Sequence, residues 1–181
     1  MRKKILWITE TAMMLALLVA VQGLTAGLQN QILTGSCVNL ILVVTALLVG
    51  TWGGAVVAVV SPFVAFLFGI GPKFVELLPA IAVGNLVLVL LYSLILGGDK
   101  KPIWLQAVVW VGAAAAKFGA LYLLMVKLLV PGLVSAGTVA AAAGEKLSAQ
   151  FGILQMVTAL IGGAVALLIV PLLRKALHKG G

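Results

Sequence analysis

Six apolar runs determine the class of fold that this chain can adopt. They cover residues 6–28, 36–49, 53–70, 78–96, 104–130 and 151–173. The connections between them are short except for residues 131–150, which are rich in Ala, Gly and Ser. A helix of about 20 apolar residues crosses the roughly 30 Å hydrocarbon core of a bilayer. The second run is short, so its ends are expected to reach Thr34 and Thr51, whereas the fifth is long and is expected to tilt or extend beyond the membrane.

Composition supports a membrane environment for these runs. The 181 residues are 64% hydrophobic and 9% charged, which is more apolar surface than a water-soluble domain of this size can bury. We therefore predict an all-α integral membrane protein, with six transmembrane helices in one bundle that forms a single domain over residues 1–181.

The distribution of basic residues predicts the orientation of this bundle. An even number of spans places both termini on one side, together with the connection after the fourth span. Eight of the twelve basic residues fall on that side: Arg2, Lys3, Lys4, Lys100, Lys101, Arg174, Lys175 and Lys179. The positive-inside rule then makes the chain a multi-pass protein of the plasma membrane with both termini in the cytoplasm. The net charge of +8 therefore indicates topology and not a nucleic-acid surface. A cleaved signal peptide at the N-terminus is the competing interpretation.

Few residues in the chain are suited to catalysis. It has one His, one Cys and four acidic residues, none of them at a span centre, and it lacks a phosphate-binding loop for ATP. We therefore expect neither an enzyme nor a bound cofactor or metal.

Polar side chains concentrate in the half of the membrane that faces outward. On the predicted topology this half contains six of them: Gln22, Asn39, Asn85, Tyr122, Gln155 and Thr158. Polar groups in lipid need partners, so these side chains should point into the bundle, where they either bond helix to helix or line a pocket open to the outside. Ser148, Phe151, Gln155, Thr158 and Gly162 follow helical spacing and are predicted to share one face.

Lys117 is predicted to lie near the middle of the fifth span. An ammonium there costs about 2.5–3.5 kcal/mol or more without a partner, and no Asp or Glu is predicted at that depth. The sequence leaves two partners open: a ligand carboxylate or phosphate, or a ring of carbonyls and water. Trp110 or Phe151 would supply an apolar wall for such a ligand.

Two further features concern partners and access. In the first span, Ala12, Ala16, Ala20, Gly23 and Gly27 form a stripe of small residues within roughly 80° of helix surface. Such a stripe lets another helix approach closely. The uncharged segment 29–35 is predicted to be an external loop that covers the pocket, with Gln29 and Asn30 bonding the ligand.

The chain resembles the substrate-binding S components of energy-coupling factor (ECF) transporters, which are bacterial vitamin-uptake proteins. The resemblance covers nearly the whole chain and includes its size and its six spans. The Ala-x-x-x-Ala pattern of the family's first helix is matched at Ala12 and Ala16 and continues to Ala20. Other similar segments are residues 35–40, 61–62, 69–72 and 84–85.

The resemblance implies a membrane subunit that captures a vitamin or other micronutrient from outside. A transmembrane T component, packed on Ala12, Ala16 and Ala20, would deliver the cargo with two ATPases. The residues that identify riboflavin, thiamine or biotin carriers are missing, so the cargo stays open. Two alternatives remain: a self-contained small secondary transporter or channel, and a membrane scaffold that transports nothing.

Overall fold

The chain folds into an all-α membrane bundle, as the sequence predicts. The computed structural model describes residues 2–98 and 101–178, and in these two ranges it contains helices and no strand. The helices are α1 (Arg2–Ala26), α2 (Gln31–Leu48), α3 (Thr51–Leu67), α4 (Leu78–Leu96), α5 (Ile103–Leu121), α6 (Val130–Ser135), α7 (Ala141–Phe151) and α8 (Ile153–His178). A 3₁₀ turn (Val75–Leu77) precedes α4, and a π-helix (Tyr122–Leu129) joins α5 to α6. Lys100 and Lys179, used above to predict orientation, lie outside the described residues.

Five helical segments are long and apolar enough to cross a bilayer, and the sixth, α3, is apolar but has 17 residues. At 1.5 Å per residue α3 is about 26 Å long, near the lower limit for a span. The fourth span has the predicted bounds at both ends. The fifth is continuous from Ile103 to Ser135, because the π-helix and α6 extend it beyond the predicted end at residue 130.

The prediction of an external loop over residues 29–35 is wrong for residues 31–35, which are helical, whereas Gln29 and Asn30 lie in the turn before α2. The Asn30 side chain accepts a hydrogen bond from the Leu33 amide at 3.1 Å and so caps the start of α2. Helix α2 therefore begins at Gln31, so it extends beyond Thr34 as predicted, and the connection from α1 is a tight turn. This turn is too short to form a flexible cover. At its other end α2 stops at Leu48 and does not reach Thr51, which begins α3.

The connection between the fifth and sixth apolar runs, residues 131–150, contains most of two further helices, α6 and α7. Helix α7 ends where the backbone of Gly152 leaves the helical region, at ψ −133°. Ser148 and Phe151 therefore belong to α7 and not to the helix that carries Gln155, Thr158 and Gly162. The single face predicted for these five residues is divided between two helices.

Helix α2 lies at the centre of the bundle and packs closely on α8. Residues 41–47 of α2 are all buried, so this stretch is surrounded on every side. At Gly162 of α8 an added Cβ would lie 2.5 Å from the Ser36 carbonyl oxygen and 2.7 Å from the Leu40 nitrogen. At Gly35 of α2 it would lie 2.9 Å from Thr158 Cγ2. Glycine thus allows the two backbones to approach closely, as is typical of helix pairs in lipid.

Helix α1 lies at the edge of the bundle. It turns Thr11 and Leu18 inward, whereas Ala12, Ala16, Ala20 and the two glycines of the stripe are exposed. At 100° per residue the stripe is centred roughly 150° away from the inward face. Ala12, Ala16 and Ala20 are therefore not buried by packing within the chain, whereas at Gly23 an added Cβ would lie 3.4 Å from Ile70 Cδ1.

Candidate ligand-binding site

A cavity of about 290 Å³ lies at the end of the bundle where α2 and α8 begin. This volume is near the lower end of the range for small-molecule sites. Its walls include six of the residues singled out in the sequence: Gln22, Gln29, Asn30, Asn39, Asn85 and Gln155. Lys117 lies at its inner wall. Because side-chain amides dominate these polar walls, we call it the amide cavity.

Lys117 is the only charged residue in the described lining of the amide cavity, and it is 2% exposed. Its Nζ donates to Asn39 Oδ1 of α2 at 2.6 Å and to Asn85 Oδ1 of α4 at 2.8 Å. One ammonium thus connects α5 to two other helices. The sequence left open whether the ammonium meets a ligand anion or a ring of carbonyls with water. Two amide carbonyl oxygens, those of Asn39 and Asn85, are among its partners.

The orientation of the Asn39 amide is fixed by α8. Asn39 Nδ2 donates to Thr158 Oγ1 at 3.1 Å, and this hydroxyl donates to the Gln155 carbonyl at 3.2 Å. The amide nitrogen is therefore occupied, and the oxygen is directed to Lys117. Thr158 is buried behind Asn39 and does not line the cavity, so it acts on the cavity through this amide.

Amide side chains also form the rim of the cavity. Gln150 of α7 donates through Nε2 to Gln31 Oε1 at 3.0 Å, and Gln155 Nε2 donates to the Gln150 carbonyl at 3.2 Å. Gln31 and Gln150 were not predicted as site residues, because both fall in connections between the predicted spans.

Several groups at the amide cavity have hydrogen-bonding capacity left over. An ammonium has three donors, and the two bonds to Asn39 and Asn85 use two of them. Gln22 Oε1 of α1 is buried and has no partner among the described residues. The lining includes Lys117 but no Asp or Glu from the described residues. The cavity therefore presents a positive charge without a neutralising carboxylate, beside polar groups of both types.

Tyr122 does not line the amide cavity, although the sequence places it at the same depth as the other polar residues. It begins the π-helix, in which residues five apart come together, and the Lys127 ammonium lies 5.5 Å from the centre of its ring. Trp110 is also absent from the lining: its Nε1 donates to the Leu160 carbonyl at 2.7 Å. Of the two aromatic residues predicted to form an apolar wall, Phe151 lines the amide cavity and Trp110 does not.

Comparison of the chain with protein-family models, with curated proteins and with solved structures gave no match.

Proposed function

We propose that this chain is the substrate-binding S component of an ATP-driven ECF importer and that it captures a small, anionic, vitamin-like molecule from outside the cell. The observation that carries the proposal is the buried Lys117 ammonium at the wall of the amide cavity. Two amide oxygens bond it and no described carboxylate of the lining neutralises it. A charge held this deep in an apolar bundle is expected to have a function. A ligand carboxylate or phosphate would accept a hydrogen bond from the remaining N–H group of Nζ.

The distribution of charge supports an amide cavity that opens to the outside. Among the described side chains, Lys4, Lys101, Arg174 and Lys175 lie toward the opposite end of the bundle. The positive-inside rule assigns that end to the cytoplasm, and the plasma membrane is the compartment that we propose. The amide cavity would then receive its ligand from the exterior.

Native mass spectrometry of the protein purified in mild detergent tests the proposal directly. We expect a second charge-state series, heavier by the mass of one small molecule, and we expect the released molecule to be detected in negative-ion mode as a carboxylate or phosphate. The Asn85→Leu variant replaces one amide of the cavity wall by an apolar side chain of similar size, and it should lose this series. A ligand that is neutral or cationic would contradict the anionic part of the proposal.

The exposed stripe on α1 supports the proposed T-component partner. A bulky residue in the stripe would keep two helices apart, so Ala16→Leu should lower recovery of a co-expressed T component and ATPases about tenfold, equivalent to about 1.4 kcal/mol. The matched control is Ala107→Leu, an equally exposed alanine of α5. Co-purification should be quantified together with the thermal stability of the chain alone. Equal recovery of both variants would exclude α1 as the docking helix.

Uptake into proteoliposomes separates this proposal from a self-contained transporter. Vesicles containing only this chain should bind the co-purified molecule without accumulating it, and accumulation should require the ATPases and ATP. Uptake by the chain alone would favour the secondary transporter. The absence of ligand binding would favour a scaffold.

A further inference from the structure

A second and larger cavity, of about 1230 Å³, lies at the other end of the bundle. It is lined by the ends of α2, α4 and α8 and by the beginnings of α3 and α5. Three cationic side chains line it: Lys101, Arg174 and Lys175. The described part of its lining contains no Asp or Glu. We call it the basic cavity.

Arg174 is held at the wall of the basic cavity by carbonyl groups. Its Nη2 donates to the Leu47 carbonyl at 2.7 Å, at the end of α2, and its Nη1 donates to the Gly98 carbonyl at 3.1 Å, just after α4. These two bonds satisfy helix-end carbonyls and fix the plane of the guanidinium. A guanidinium has five donors, so three remain for another acceptor.

The beginning of α3 adds backbone donors to the same wall. Its N-cap is Gly50, which has φ +93° and no side chain with which to cap the helix, and Gly50 and Thr51 both line the cavity. The first amide bonded within the helix is that of Gly54, which donates to the Gly50 carbonyl at 2.9 Å. The amides before it form the partly positive end of the helix dipole, where anions bind.

The rest of the lining indicates what kind of molecule carries the anionic group. Apolar side chains, among them Leu96, Leu167 and Val170, continue from the three cations toward the middle of the bundle. The combination of cations at the end of a helical bundle with an apolar wall below them matches an anionic phospholipid, whose phosphate lies at the interface above its acyl chains. A free phosphate would use only the polar part of this lining.

We propose that the basic cavity binds the phosphate group of an anionic phospholipid through Lys101, Arg174 and Lys175. The site is independent of the amide cavity and of the ECF assignment. A lipid at this position would connect the ends of α2, α4 and α8 and would stabilise them relative to one another.

The test uses the full chain in neutral detergent, with dioleoyl phosphatidylglycerol, dioleoyl phosphatidylcholine or inorganic phosphate added in separate titrations. Binding is followed by native mass spectrometry and by thermal stability. We expect phosphatidylglycerol to bind more tightly than phosphatidylcholine. The double variant Lys101→Gln/Lys175→Gln should weaken phosphatidylglycerol binding about tenfold, because each cation near a membrane surface adds to the attraction for anionic lipid.

A matched control removes two exposed lysines from the other end of the bundle. Lys73→Gln/Lys146→Gln changes the net charge equally and should leave phosphatidylglycerol binding at the wild-type level. Arg174→Lys preserves the charge but loses the planar guanidinium that the two carbonyls hold in place. Its affinity for phosphatidylglycerol should lie between those of the wild-type protein and Lys101→Gln/Lys175→Gln. These variants should still bind the molecule that co-purifies in the amide cavity, so failure here is distinguishable from failure of the proposed function.

The outcomes separate the two sources of phosphate. Binding of phosphatidylglycerol that inorganic phosphate does not displace, lost in Lys101→Gln/Lys175→Gln, supports the lipid. Equally strong binding of inorganic phosphate, lost in the same variant, supports the phosphate site but assigns it to a soluble ion. The proposal is overturned if both double variants lose phosphatidylglycerol binding equally. It is also overturned if the wild-type protein binds phosphatidylglycerol no better than phosphatidylcholine and does not bind inorganic phosphate.

Discussion

Lys117→Met is expected to weaken binding of the co-purifying ligand more than tenfold, equivalent to at least about 1.4 kcal/mol. Methionine has a similar length but neither charge nor donors, so the variant removes the only formal positive charge in the described lining of the amide cavity. A desolvated, charge-assisted hydrogen bond is about twice as strong as a neutral one, which is the physical reason for an effect of this size. Occupancy by native mass spectrometry measures the change without prior identification of the ligand.

The same variant leaves the carbonyl oxygens of Asn39 and Asn85 without their ammonium donor, so its stability must be measured separately. Thermal unfolding of the ligand-free protein gives that comparison, and Lys127→Met, on an exposed lysine of the π-helix, is the matched control. Reduced occupancy in Lys117→Met, with Lys127→Met unchanged and both proteins folded, is the expected pattern. Full ligand affinity in folded Lys117→Met would assign Lys117 to helix packing alone.

Gly162→Ala is expected to destabilise the bundle by about 1–3 kcal/mol, a large effect for one methyl group. The added Cβ would lie 2.5 Å from the Ser36 carbonyl oxygen and 2.8 Å from Asn39 Cβ. The first of these contacts is with backbone, which cannot rotate away, so α2 and α8 must separate. Because Asn39 bonds Lys117, ligand occupancy should fall as well.

Gly112→Ala is the matched control for this substitution. Gly112 lies within α5, is exposed, and has nothing within 4 Å of an added Cβ. Alanine is the better helix former by about 1 kcal/mol, so this variant should be neutral or slightly stabilising. Chemical denaturation in mixed micelles measures both variants on the same scale. Equal stability of Gly162→Ala and Gly112→Ala would disprove the close packing of α2 on α8.

The sequence predicts the spans well where hydropathy alone decides, and less well at their ends. Helix α4 has the predicted bounds because apolar residues continue to Leu96 and glycine follows at once. Helix α2 begins earlier than its apolar run because Asn30 caps it and the polar residues after Asn30 can still be helical. Hydropathy cannot detect such a cap, and it assigned the first turn of α2 to a loop.

The site was predictable to the extent that depth in the membrane determines which residues meet. The inward-facing residues of the outer half, Asn39, Asn85 and Gln155, line one cavity, and the long side chain of Lys117 reaches Asn39 and Asn85 from near the middle of its span. Tyr122 lies at a similar level, but it is five residues after Lys117 and so about 140° away from it around the helix. The prediction grouped Tyr122 with the other polar residues by depth alone and did not compare its helix face with that of Lys117.

The ammonium of Lys117 also has a consequence for biogenesis. Both of its described partners, Asn39 in α2 and Asn85 in α4, precede it in the chain. When α5 leaves the ribosome, the amides that can accept its charge are therefore already in the membrane. Entry of α5 into lipid then depends on the helices made earlier, and α5 expressed alone should be retained poorly by the insertion machinery. Because of this one buried cation, α5 is expected to insert stably only after α2 and α4 have been made.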